Sequence, residues 1–259
     1  MTRRRFDLLE VSLVSVTVAL AAMQATRAYT LADVREEALL GGVGADEIAP
    51  LARAYGPSHS SQFAEEWIVR DFFHDKRDGV FVDVGANDYQ RDSTTYYLET
   101  ALGWHGVAID AQREFAEGYR TNRPRTQFFS FFVSDKTDAV ADLFIPVNRH
   151  VNATGTREAV DDGSKLEIRE VATIRLDDLL PRTGIDHIDF LSMDIELAEP
   201  RALAGFDIDR FKPGLVCIEA HRTVRQAILD YFQRHGYVVV GKYLRADAVN
   251  LYFTAAGQQ

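Results

Sequence analysis

The chain has a single cysteine, Cys217, in 259 residues. No intramolecular disulfide can form, and no zinc site can be built from thiolates. Cys217 lies in the apolar run Leu215–Ile218, where it reads as a small buried hydrophobe rather than a nucleophile. Basic residues are in deficit. The chain has 29 Lys and Arg against 39 Asp and Glu, a formal net charge of -10. A general nucleic-acid binder needs a basic face, so nucleic acid is not expected as a partner. Long hydrophobic runs are also scarce. Near the N-terminus only Val11 to Ala25 is uncharged, short of the roughly 20 residues that span a bilayer.

That N-terminal segment has two readings. Arg3, Arg4 and Arg5 precede it and Thr26-Arg27-Ala28 follows, the layout of a signal or short anchor in residues 1–29. Against this, Asp7 and Glu10 interrupt the approach, and Ser12, Ser15, Thr17 and Gln24 dilute the run, as in a packed amphipathic helix. Residues 6–26 are therefore a candidate membrane-associated segment, with the rest of the chain expected on the cytoplasmic side.

The full chain is 46% hydrophobic, enough for a sizeable core, and its 259 residues suit one large α/β domain with an N-terminal extension. Residues 30–78 read as a helical extension, with a helix over Gln62–Phe73 capped by Ser60 or Ser61. From residue 79 to 259, short apolar runs alternate with amphipathic helices. Strands are expected at Val80–Val84, Gly106–Asp110, Gln127–Val133, Leu166–Ile174, Ile188–Met193, Leu215–Glu219, Tyr237–Lys242 and Asn250–Phe253, with Ala141–Pro146 either another strand or an edge hairpin. Helices are expected at Thr94–Leu102, Arg113–Thr121, Leu176–Leu180 (stopped by Pro181), Glu199–Ala204 and Thr223–His235. The alternation implies βαβ units and a mostly parallel sheet, and the continuous apolar strands imply helices on both faces. Asn148–Lys165 reads as a long polar loop.

Ligands of such sheets bind beyond the carboxyl ends of the strands. There the first strand runs into Asp83-Val84-Gly85-Ala86-Asn87-Asp88. Gly85 lets backbone approach a ligand, and Asp83 and Asn87 can bond an ammonium group and hydroxyls. A dinucleotide loop needs three glycines and a helix N-terminus for pyrophosphate; this loop has one glycine and two acids. It suits a cationic sulfonium better. Asp110 ends the second strand, 27 residues after Asp83, where a carboxylate can take ribose hydroxyls or simply cap the next helix. Ser134-Asp135 ends the third run, where it can reach an adenine amino group or form a surface turn.

With these stretches in this order, the sequence resembles the FkbM-type family of S-adenosylmethionine (SAM) dependent methyltransferases. The resemblance rests on Ser61-Gln62, Phe81–Asn87, Gly106–Asp110 and Leu176-Asp177-Asp178-Leu179-Leu180. It continues through Ile188–Glu196 into Ala198-Glu199, then Leu203-Ala204-Gly205-Phe206, covering about residues 60–255. It implies a Rossmann-like methyltransferase fold, usually seven strands with the last antiparallel. It also implies SAM as cofactor and O-methylation of hydroxyls on sugars or natural products. Asp83, Gly85, Asn87, Asp110, Ser134, Asp135 and Gln62 would then line the SAM site. Three departures stand out: Leu197 replaces a glycine after Asp194-x-Glu196, Met193 replaces a lysine, and the loop after Asn87 lacks glycine.

Methyl transfer to a hydroxyl needs positioning and a general base. His221 is the first choice for base, with Glu196 second; Asp194 either joins them or supports the cofactor loop. No metal is assigned, although Asp194, Glu196, Glu219 and His221 together could hold Mg²⁺. The expected acceptor is a small molecule or glycan, and no oligomeric state is specified. Two other readings remain: a non-catalytic SAM-binding or partner-binding protein, which Leu197 favours, and an NAD(P)-dependent oxidoreductase, which the missing glycines oppose.

Overall fold

The computed structural model describes residues 45–56, 58–147, 153–155, 157, 165–247 and 249–257. Segment 1–29, most of the loop 148–165, His150 and Asn152 lie outside the described residues. Among the described residues, no helix is long and apolar enough to cross a membrane. Residues 43–259 form one compact unit.

That unit opens with helices α1 (Ala45–Tyr55) and α2 (Glu65–Phe73). The strands then run β1 (Val80–Val84), β2 (His105–Ile109), β3 (Thr126–Phe129), β4 (Phe132–Val133), β5 (Val140–Pro146), β6 (Leu166–Ile174), β7 (Phe190–Met193), β8 (Leu215–Glu219), β9 (Tyr237–Val239) and β10 (Asn250–Ala255). Between them lie α3 (Tyr96–Leu102), α4 (Ala116–Asn122), α5 (Leu176–Thr183), α6 (Glu199–Leu203), α7 (Ile208–Phe211) and α8 (Arg225–Arg234).

Seven strands make the main sheet, in the order β3-β2-β1-β7-β8-β10-β9. Its ladders are parallel except those of β10, which runs antiparallel to both β8 and β9. This is the Rossmann-like methyltransferase arrangement expected from the sequence. The order reverses between β1 and β7, and at such a switch point the helices leave a crevice beyond the strand ends. Every residue of β1 is buried, because both faces are covered. Val80, Val82 and Val84 face a core with Leu176, Leu179, Leu203 and Ile228, while Phe81 faces Trp67, Ile68, Leu98 and Trp104. Helices α1 and α2 thus share the core of the sheet. Cys217 is fully embedded there, and burial pushes its thiol well above the usual range, as befits a hydrophobe.

Several boundaries differ from the sequence expectation. The run Gln127–Val133 is not one strand: β3 ends at Phe129, and β4 pairs instead with β6. With the β5–β6 hairpin it forms a second sheet of three strands, β4-β6-β5. Apolarity alone could not reveal the break, because both halves are apolar and only the partner changes. Pro181 does not stop α5, which continues to Thr183 and ends at Gly184 in the left-handed region. Proline's φ is helical, so at the end of a short helix it forfeits only one hydrogen bond. Helix α7 had no counterpart in the sequence reading; Asp207 caps it by accepting from the Arg210 N–H.

The turn from β7 to α6 is strained. Glu196 and Leu197 have φ of 54° and 76°, a region that L side chains rarely adopt. The Thr154 hydroxyl donates to the Glu196 carbonyl at 2.8 Å and helps pin the turn. Replacing Leu197 by glycine should relieve strain that alanine would retain. Leu197→Gly is expected to be about 1 kcal/mol more stable than Leu197→Ala by urea unfolding; the reverse order would contradict a left-handed conformation at this position.

Candidate functional site

The carboxyl ends of β1, β2, β7 and β8 gather most of the residues singled out in the sequence. Gly85 makes this possible. Its φ is 84°, and an added Cβ would lie 1.7 Å from the Asp194 carbonyl oxygen. The sequence suggested that this glycine admits a ligand; the nearest occupant of the Cβ position is the β7 backbone. The Asp194 N–H donates to the Val84 carbonyl at 2.9 Å, locking the two strand ends together.

Asn87 also has a positive φ, 49°. Its N–H donates to Asp110 Oδ2 at 2.9 Å, while the Gln112 N–H donates to Asp110 Oδ1 at 2.7 Å. Asp110 therefore clasps the β1 loop and shapes its own turn. Each carboxylate oxygen has further lone-pair capacity, so hydroxyl donors can still be received. The Asn87 side-chain oxygen is buried with no hydrogen-bond partner. An acceptor left so costs free energy unless a ligand donor meets it.

Asp83 is buried and accepts from the Thr95 hydroxyl at 2.8 Å. Thr95 is in turn held by Arg123, whose guanidinium donates to its carbonyl and hydroxyl and pairs with Glu99. Arg123 and Glu99 are both buried. Neither Thr95 nor Arg123 was marked in the sequence, because the fold alone brings residue 123 back beneath residue 83. Burial pushes Asp83 up to about 6, against the lowering effect of Thr95 and Arg123. Burial likewise raises Asp110 to about 6, opposed by its two backbone donors and reinforced by Asp83.

Ser134 and Asp135 are placed differently. They follow β4, in the second sheet, rather than β3. The Ser134 hydroxyl donates to Asp135 Oδ1 and accepts from Arg201 of α6. The Ser134 hydrogen bond, then Arg201, hold Asp135 below the usual carboxylate range. Gln62 is exposed, next to Ser61, whose backbone bridges to Asp92 of the β1–α3 loop.

The far side of the crevice is acidic. Asp194 keeps an open face to solvent, although protein crowds its other sides. That crowding, then Glu196 and Asp83, pushes it up to about 7. Glu196 rises to about 6 through burial and then Glu199. Glu199 was not among the marked residues. It is fully buried, accepts from the Ile195 N–H at 3.0 Å, and burial raises it to about 7. Carboxylate oxygens of Asp194, Glu199 and Glu219 lie within 4.8 Å of one another. His221 is exposed two residues beyond Glu219, with Nδ1 3.4 Å from the Thr223 hydroxyl.

The model of the methyltransferase FkbM domain matches residues 83–239, more than half the chain. No curated protein sequence matches this chain. Similar solved structures include a TehB-like SAM-dependent methyltransferase from Corynebacterium glutamicum (TM-score 0.43, 15% identity, covering 82% of this chain and 95% of that one). A methyltransferase from Geobacter sulfurreducens gives 0.41, 13%, 82% and 90%. The O-methyltransferase TomG from Streptomyces achromogenes gives 0.39, 12%, 85% and 94%. The chain belongs to the FkbM methyltransferase family, and its cofactor is S-adenosylmethionine.

Proposed function

We propose that this chain transfers the methyl group of SAM to a hydroxyl of a sugar or natural product. The observation that carries this reading is the acidic far wall of the crevice. Asp194, Glu199 and Glu219 converge there, next to the Gly85 loop, and Glu196 is near enough to raise Asp194 further. Such a wall accepts hydrogen bonds from a polyhydroxylated acceptor and repels phosphates, which opposes a nucleic-acid substrate.

The residues present fit the donor. The unpartnered Asn87 oxygen and the carboxylates of Asp83 and Asp110 are acceptors suited to a ligand rich in donors and positive charge. Asp110 would take the ribose hydroxyls, and Asp83 with Asn87 the amino-acid end. SAM supplies an electrophilic methyl group. The chain's own work is to hold the acceptor oxygen in line and to receive its proton. His221, exposed at the rim, is the proposed base; Glu196 and Asp194 orient the acceptor. Ser134, Asp135 and Gln62 remain proposed cofactor contacts at the margin.

Three outcomes are expected. SAM should raise the melting temperature and NAD should not, and Asp110→Ala should abolish that increment; a retained increment would remove Asp110 from the ribose. Affinity for SAM should also depend on pH. Asp83 and Asp110 have folded values near 6, above the roughly 3.9 of an unfolded Asp. Without ligand, their contribution to stability therefore declines as pH rises from about 4 to 6. A cationic ligand favours the ionised forms. Affinity should increase from pH 5 to 7, with protons released on binding near pH 6, as calorimetry in buffers of different ionisation enthalpy would register. Finally, labelled-methyl assays with pooled sugars and natural products should show transfer. His221→Ala should lower kcat by about a hundredfold or more while the SAM melting shift persists. A non-catalytic binding protein would show the shift and no transfer.

A further inference from the structure

Asp194, Glu199 and Glu219 come from three separate places: the end of β7, the first residue of α6 and the end of β8. Each turns a carboxylate oxygen to a common point, with all three within 4.8 Å of one another. Like charges so close repel, and clustering alone would say little. Glu199 adds an independent observation. It has no solvent exposure. Its Oε1 accepts from the Ile195 N–H, but its Oε2 is buried with no hydrogen-bond partner. A buried acceptor left unmet is uncommon in folded proteins and calls for an explanation such as an ion.

We infer that Asp194, Glu199 and Glu219 form a binding site for one hard divalent cation on the acceptor side of the crevice. All-oxygen carboxylate sets suit Mg²⁺, Ca²⁺ or Mn²⁺. Size separates them. Two ligands on opposite sides of a cation lie at most twice the metal–oxygen distance apart, about 4.2 Å for Mg²⁺ and about 4.6–5.2 Å for Ca²⁺. With all three oxygens within 4.8 Å of one another, the set falls in the range that such a cation can bridge, and the titrations below separate the ions. Glu199, anchored through Ile195, is the rigid ligand. Asp194, open to solvent, is the side from which water or acceptor oxygens complete the shell. This differs from the set considered on sequence alone: Glu199 replaces Glu196 and His221. Resting on the proposed hydroxyl acceptor, the cation would hold neighbouring acceptor oxygens in place beside the methyl group.

The test begins without acceptor. The full chain is titrated with Mn²⁺, followed by electron paramagnetic resonance, and with CaCl₂ and MgCl₂ by calorimetry. One ion per chain is expected. Glu199→Gln, which keeps the Ile195 hydrogen bond, and Asp194→Asn, at an open position, should each weaken binding by more than about tenfold. Asp110→Ala should lose the SAM melting shift and leave Mn²⁺ binding unchanged. No binding by the wild type at millimolar metal, or unchanged binding in both carboxylate variants, would overturn the site. Methyl transfer that persists undiminished in excess EDTA would overturn its role with the acceptor while leaving the proposed reaction standing. Metal binding with no transfer to any hydroxyl acceptor would leave the site and remove that reaction.

Discussion

The backbone of β1 can meet that of β7 only because Gly85 carries no side chain. Any Cβ there would collide with the Asp194 carbonyl, and the positive φ would strain it further. Removing this approach would separate the ends of the two strands at the switch point. Asp83, Asn87 and Asp110 stand on one side of it, and Asp194, Glu196 and Glu199 on the other. The donor and acceptor halves of the crevice are thus joined at one glycine.

The second governing feature is accumulated negative charge. Asp83, Asp110, Asp194, Glu196 and Glu199 all have raised proton affinities, with burial the leading cause in each. Only Asp83 has a buried cation behind it, Arg123, acting through Thr95. Such a site is electrostatically unfinished, because buried carboxylates are costly until positive charge meets them. A sulfonium and ammonium on the donor side, and a divalent ion on the acceptor side, would each complete one half. The strained turn at Glu196 and Leu197 belongs to the same region, and strain of this kind concentrates at functional sites.

Much of this was legible in the residues. The strand β1, the loop after it, Asp110 and the acidic end of β7 follow from local pattern, since buried strands are continuously apolar and polar residues mark where they end. The antiparallel final strand came with the family resemblance. The split between β3 and β4 was hidden, because an apolar run does not name its partner. Glu199 was read as a helix start and as part of a matching stretch, without a site role, and Arg123, just past the helix expected over Arg113–Thr121, was not singled out. Their roles depend on chain segments far apart in sequence.

The sequence by itself determined the class of fold, the order of its elements and the acidic, glycine-poor character of the ligand loop, because period, polarity and charge are local properties. Tertiary structure alone decided what fills the space at Gly85, which carboxylates converge, and that Leu197 occupies a left-handed turn. Those depend on strand pairing across the switch point, where β1 and β7 become neighbours although more than a hundred residues separate them in the chain. No local pattern encodes the distance between two such ends.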